Sequence, residues 1–475
     1  MKLELSKGKA LSVFTLVMIN VIAIDNLRSL TAGAEYGFAL VFFYILGAIL
    51  FFIPTILVTA ELATGWPTAG GVYVWVREAF GLRLGFLTIW LQWIYNVVWY
   101  PTIFTFVAGI VAYLIDPSLV ENKYFMLTVI LTAFWSVTIL NCLGLKASSV
   151  LSVIGAIIGT ILPMIFIAVL GFVWIYLDKP SHIQFTAKDF FPNITSAHDL
   201  AFLTNILFGL MGIEMSAVHA GDVKNPNRDF PRALIISGLI IMATLVFACL
   251  AITIVVPKNE LTLVSGLIDA FGIFFNAYHM SWCIPIIALL IILGSMGSAS
   301  TWILGPARGM LIAGEDNKLP AIFVRRNKND MPIGILLLQG IIVTVLCMVF
   351  FVMPSVNSSY WVLSNLTAQL ALIFYILLFA AAIRLRYKHG NVKRAYRIPG
   401  GKFGIWTVCG VGIMTCLLAI ILGFLPPSQV SVGNVFQYEA ILILGIVICG
   451  LPPFLLNRYK KPGLNGVKEP IYQKT

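Results

Sequence analysis

A dozen long apolar runs, separated only by short polar connections, dominate this chain of 475 residues. A helix that crosses about 30 Å of hydrocarbon needs about 20 apolar residues. By that ruler spans are expected at 10–34, 37–62, 82–115, 124–143, 147–177, 198–219, 231–256, 283–311, 333–353, 359–383, 404–425 and 436–457. The runs are continuous and lack the period-2 alternation of barrel strands, so an all-α polytopic membrane protein of about 12 transmembrane helices is expected. Composition agrees. The chain is 60% hydrophobic and 11% charged, whereas a soluble domain carries about 25% charged residues. Soluble enzymes, nucleic-acid readers and disordered scaffolds are excluded on that ground. No long linker interrupts the spans, so 1–475 reads as one membrane domain, with 262–282 as a short amphipathic helix lying on one face. The N-terminus has no small-residue cleavage site, so its apolar run is read as a span that is kept. The seven cysteines form no CxxC pair and build no Cys/His ligand set, so no metal or other cofactor is expected.

The charges orient the bundle. If the N-terminus and every second loop share one side, that side holds 26 of the 31 Lys and Arg. The positive-inside rule then puts both termini in the cytoplasm, with the protein multi-pass in the cell (inner) membrane. The basic run at 384–402 is accounted for as a cytoplasmic loop rather than a lipid- or nucleic-acid-binding site.

Ionisable groups inside spans are expensive in hydrocarbon, so each is a candidate for function. The first span carries Asp25, Asn26 and Arg28, which either face a substrate or pair with each other at i, i+3. Glu61 falls at the cytoplasmic end of span 2 and reads as structural. Span 6 carries Glu214 and, near its cytoplasmic boundary, His219, a polar cap or a proton sensor. Gly209 and Gly212 precede Glu214, and two glycines in four residues weaken a helix at one place. Their GxxG spacing is a poor fit to a helix-dimer face. A break at mid-membrane exposes N–H and C=O groups that need partners, and transporters use such groups to hold a substrate. Paired interruptions in spans 1 and 6 are what two inverted five-helix repeats predict, with spans 11 and 12 outside them. The boundaries are then 1–177 for the first repeat, 198–383 for the second, 404–457 for the two added helices and 458–475 for a short cytoplasmic tail. Aromatic rings in WLQWIYNVVWYP (90–101) mostly pack or sit in interfacial belts. Trp302 follows the small residues Gly297, Ser298, Ala299, Ser300 and Thr301, which leave room for a ring or a ligand beside it.

These segments resemble the amino acid–polyamine–organocation superfamily of transporters. AELATGWPTAGGVYVWVREAFG (60–81) is similar to its most characteristic segment, and GIEMSAVHAGDVKNPNRDFPRA (212–233) to its span-six signature. TWILGPARGMLIAGEDNKLP (301–320), NKNDMP (327–332) and IPGGK (398–402) are closer to the bacterial glutamate/GABA antiporter family. The resemblance implies a five-plus-five inverted repeat that exchanges amino acids by alternating access across a lipid bilayer. It also implies that Gly212, Ile213 and Glu214 fall on the span-six break, Phe208 beside it, and Trp302 against the substrate. One departure stands out. The superfamily's Gly-Ser-Gly break in span 1 is replaced by Ile24-Asp25-Asn26-Leu27-Arg28, and LRSLTAGAEYG (27–37) is similar to a subset of permeases with a Leu-Arg-Asn-Leu-Pro run.

The resulting site set is Asp25, Asn26, Arg28, Phe208, Gly209, Gly212, Ile213, Glu214 and Trp302 for substrate, with Glu214 and His219 for protons or gating. An antiporter that exchanges glutamate or a related amino acid for GABA or another amino acid or amine is the leading expectation. A proton-coupled amino-acid or amine symporter is the alternative. An integral-membrane enzyme is disfavoured because the five His are scattered and neither GxSxG nor HExxH occurs. Lipid-facing and partner-facing apolar surfaces look alike, so a homodimer stays open.

Overall fold

The computed structural model describes residues 12–458, apart from 68–69, 145–150, 156, 223–224, 318–319 and 429. Eleven helices are long and apolar enough to cross a membrane, and a twelfth span is a bent pair, Val13–Ile24 with Leu27–Ala34, at an angle of 46°. The others run Gly37–Gly65, Leu82–Ile115, Lys123–Leu143, Leu151–Tyr176, Ala197–Ala217, Arg228–Val255, Ser281–Glu315, Ile333–Val352, Val356–Lys388, Gly401–Gly423 and Val435–Leu456. We number them spans 1 to 12. No strand occurs among the described residues. The short helix expected near 262–282 is Gly266–Ala277.

Two boundaries differ from the hydropathy reading. Span 10 continues to Lys388, so Arg384, Arg386 and Lys388 extend the helix past its apolar run. A further helix, Gly71–Phe80, fills the connection between spans 2 and 3. It ends at Gly81, whose φ of +94° gives the chain the turn that starts span 3. Charged loop 384–402 is therefore partly helix: Arg384 and Lys388 reach water from the helix end, while Arg386 is buried.

Burial sorts the spans. The most apolar window of span 6 is 83% buried and those of spans 3 and 10 are 78% buried, against 17% for span 12. Span 3 packs against both span 8 and span 10, and span 7 covers spans 1 and 5. Spans 5 and 8 touch through glycines: a Cβ on Gly294 would fall 2.2 Å from the Gly159 carbonyl oxygen. The small residues preceding Trp302 thus serve this close helix contact, with Gly297 against Gly155. That is a packing reason for their size, since lipid gives no hydrophobic drive to helix association and close van der Waals contact supplies it.

Glu61 lies deeper than its place at a span end suggested. It is 2% exposed, accepts from Nε of Arg386 at 2.8 Å and from the Ile398 N–H at 2.9 Å, and also binds Nη2 of Arg386. A bidentate guanidinium plus a backbone donor satisfies a carboxylate removed from water. The group ties the end of span 2 to the end of span 10.

Candidate functional site

Both breaks follow from local backbone chemistry. Span 1 leaves helical geometry at Asp25 and Asn26, whose ψ values are 117° and 114°. The Asn26 side chain then accepts from the Arg28 N–H at 3.0 Å, and Ser29 Oγ donates to the Asn26 carbonyl at 2.8 Å. An Asx cap thereby starts a new helical turn without glycine. Span 6 breaks at Gly212, with φ +120°. No L side chain adopts that angle cheaply, so here glycine is required. The helix Leu203–Gly209 stops and a 3-10 helix begins at Ile213. The broken stretches lie side by side: a Cβ on Gly212 would meet Ile24 Cγ1 at 3.4 Å and Trp302 Cζ2 at 3.7 Å.

A cavity opens between them. Span 1 lines it with Asn26, Arg28 and Ser29, span 3 with Tyr95, Asn96 and Trp99, span 6 with Phe208, Gly209 and Gly212, and span 8 with Trp302. At about 50 Å³ it holds a few waters, since one water needs roughly 10–15 Å³ measured in this way. It must widen to admit an amino acid. Phe208 and Trp302 are the half-buried rings of its wall. Trp302 meets Trp99 at 6.4 Å between ring centroids, and Tyr100 Oη donates to the Trp302 carbonyl at 2.8 Å.

Arg28 is the cation of this wall, 2% exposed. Its Nη1 donates to Tyr360 Oη at 3.0 Å and to Ser364 Oγ at 3.1 Å, both on span 10. The guanidinium lies 5.5 Å from the centroid of Phe208 and 5.6 Å from that of Tyr360. Nε has no hydrogen-bond partner among the described residues. The i, i+3 pair with Asp25 does not form. Asp25 instead faces span 7, accepting from Thr244 Oγ1 at 3.0 Å on Oδ2 and 3.2 Å on Oδ1. The physical reason is the break itself: two extended residues carry the side chains to opposite sides of the chain.

Glu214 stands behind the cavity. Its Oε2 accepts from Tyr375 Oη at 2.6 Å, and that hydroxyl accepts from the Gly212 N–H at 2.8 Å. Span 10 thereby satisfies a donor that the span 6 break frees. Glu214 Oε1 has no partner among the described residues. Of the residues singled out from sequence, Asn26, Arg28, Phe208, Gly209, Gly212 and Trp302 are brought together around the cavity. Asp25, Ile213 and Glu214 are buried beside it without lining it. The His219 side chain lies outside the described residues. Sequence reading missed Tyr95 and Asn96 on span 3, and Tyr360, Ser364 and Tyr375 on span 10. Asn96 had a signal, an amide in mid-span; the tyrosines were indistinguishable from belt residues.

The amino acid permease family model matches residues 10–448. The chain belongs to that family. It is a membrane transporter with small-molecule amino acid substrates, and not an enzyme. A relative 54% identical over 450 residues, covering 95% of this chain and 97% of its own, is an uncharacterised transporter of Legionella pneumophila. A glutamate/gamma-aminobutyrate antiporter of Lactococcus lactis subsp. lactis is 30% identical over 443 residues, 92% of this chain and 88% of its own. A probable agmatine/putrescine antiporter of the same organism is 25% identical over 450 residues, 94% of each chain. The permease cavity thus has relatives named for an anionic substrate and for cationic ones.

Proposed function

We propose that this permease is an amino acid antiporter whose substrates bind through a carboxylate on Arg28, glutamate or a related amino acid being exchanged for GABA or another amino acid. One observation carries the choice. Arg28 is a buried guanidinium on the cavity wall with no carboxylate partner among the described residues, and the cavity is lined by no Asp or Glu. A buried cation held by neutral hydroxyls and rings gains strongly from a bidentate carboxylate. A diamine or guanidinium substrate would meet like charge there. Asn26 and the backbone of Gly209 suit the polar remainder of the substrate, and Phe208 and Trp302 close over it.

Alternating access would move the breaks relative to spans 3, 8 and 10, within a five-plus-five inverted repeat in the inner membrane, both termini cytoplasmic. The half-partnered carboxyl of Glu214, tied to Tyr375, supports a second reading, proton-coupled symport, with His219 as a rival proton site. Proteoliposomes separate the two. Labelled glutamate entering only when an amino acid is preloaded supports antiport. Uptake into empty vesicles along a proton gradient supports symport.

A further inference from the structure

A second cavity, of about 590 Å³, opens where the connection between spans 10 and 11 folds over the end of span 2. Thr64, Asn391, Lys393, Arg394 and Arg397 are among its lining residues, so its walls carry three cations and no carboxylate. Lys393 and Arg397 are exposed. The Arg394 side chain is 1% exposed and forms the floor. Its Nη2 donates to the Leu385 carbonyl at 2.8 Å and the His389 carbonyl at 3.1 Å. Its Nη1 lies 3.5 Å from Glu61 Oε1. Neither that nitrogen nor Nε makes a hydrogen bond among the described residues. Glu61 is already engaged by Arg386 and the Ile398 N–H, and beside that shared carboxylate Arg394 has the Trp66 ring, 5.1 Å from its Cζ, against its charge. Burial pulls the Arg394 guanidinium below its ordinary value, against the Glu61 carboxylate, which opposes the shift.

We propose that this cavity is an anion site that takes a phosphate group, from a lipid headgroup or free in solution. A tetrahedral oxyanion accepts from the unused donors of the buried arginine while Lys393 and Arg397 close over it as point charges. A solvated basic loop does not need a buried arginine with idle nitrogens; a built anion site does. The position suits either source, because the cavity sits at the ends of spans 2 and 10 on the side that the charge asymmetry assigns to the cytoplasm. A bound phosphate would join Arg394, and through it Glu61 and the end of span 10, to the 389–400 connection. The site is separate from the transport cavity and does not depend on which amino acid is carried.

The test uses the full-length purified protein and the double variant Lys393→Gln, Arg397→Gln, which leaves the Glu61 contacts intact. Inorganic phosphate is titrated against chloride at constant ionic strength in detergent, and the unfolding midpoint is followed. In parallel, the midpoint is compared in nanodiscs of phosphatidylcholine with and without phosphatidylglycerol. A rise with inorganic phosphate whose apparent affinity falls about tenfold or more in the double variant establishes a free-anion site. A rise only with phosphatidylglycerol, lost in the variant, establishes a headgroup site. No rise in either arm, or equal rises in both proteins, overturns the proposal. If the double variant does not fold, Arg397→Gln alone is read by the same criteria.

Discussion

At the scale of single residues, Arg28 decides what the cavity prefers. Removing one partner of a buried charge contact costs about 2–5 kcal/mol. Arg28→Ala should therefore weaken binding of a carboxylate substrate by at least about 30-fold, measured by competition with labelled glutamate. Arg28→Lys should recover little, because a point charge replaces a fork and loses its contacts with Tyr360 and Ser364. Trp302→Ala should weaken the same binding by about tenfold, whereas Trp174→Ala should leave it unchanged. Trp361 is a poor control, although it too lies off the cavity. Its ring sits 4.4 Å from that of Phe202 and its Nε1 donates to Tyr438, so truncation would loosen span 6 against span 10. Arg28 was legible as a charge at mid-span and Trp302 as a ring after a run of small residues, whereas Phe208 came only with the family resemblance. Tyr360 and Ser364 were not legible. They are 332 and 336 positions from Arg28, and only the folded bundle brings them to it.

At the scale of elements, the two breaks were legible to different degrees. Gly209 and Gly212 announce the one in span 6 through backbone freedom. The span 1 break has no glycine and showed only as a cluster of polar groups at 25–28, which left the Asp25–Arg28 pair as an equal reading. What separates the two side chains is the extended backbone between Ile24 and Leu27, which no spacing rule reports. The hydrogen bond from Tyr375 to Glu214 spans the gap between the second break and span 10. Glu214→Gln keeps an acceptor for that hydroxyl but removes the titration. It should flatten the pH–rate profile of exchange while substrate still binds; activity lowered equally at every pH would mean that Glu214 is only a structural acceptor. A His219→Gln variant that alone loses the pH dependence would move the sensor there. The short helix Gly266–Ala277 carries a different titration. Burial raises the Asp269 carboxyl from 3.8 to about 6, against a hydrogen bond from Ser265 that opposes it. The folded protein thus favours the neutral acid, and stability present below pH 4 is lost as pH rises through about 6. Asp269→Asn should accordingly raise the unfolding midpoint at pH 7.5, by on the order of 1–2 kcal/mol of stability, and make no difference at pH 4.

At the scale of the whole molecule, hydropathy alone read the architecture closely. Spans 3 and 4 were expected at 82–115 and 124–143 and run Leu82–Ile115 and Lys123–Leu143. The solvent explains this: hydrocarbon forces every backbone polar group into a helix, so length and apolarity suffice. The same uniformity hides which spans are central, since spans 10 and 12 share a mean hydropathy of 2.3 yet differ in burial from 78% to 17%. The aromatic and amide groups that complete the cavity come from span 3, and the hydroxyls that hold Arg28 and Glu214 from span 10; both spans are buried, and that is why these groups went unseen. The account's central claim is that the space between the breaks recognises a carboxylate through Arg28. Competition of glutamate, GABA, agmatine and putrescine against labelled glutamate, on the wild-type permease and on Arg28→Ala, tests it most directly. The account predicts that glutamate and GABA compete on the wild type, that agmatine and putrescine do not, and that the variant loses the labelled ligand. Agmatine or putrescine competing as well as glutamate, or Arg28→Ala binding as the wild type does, would contradict it.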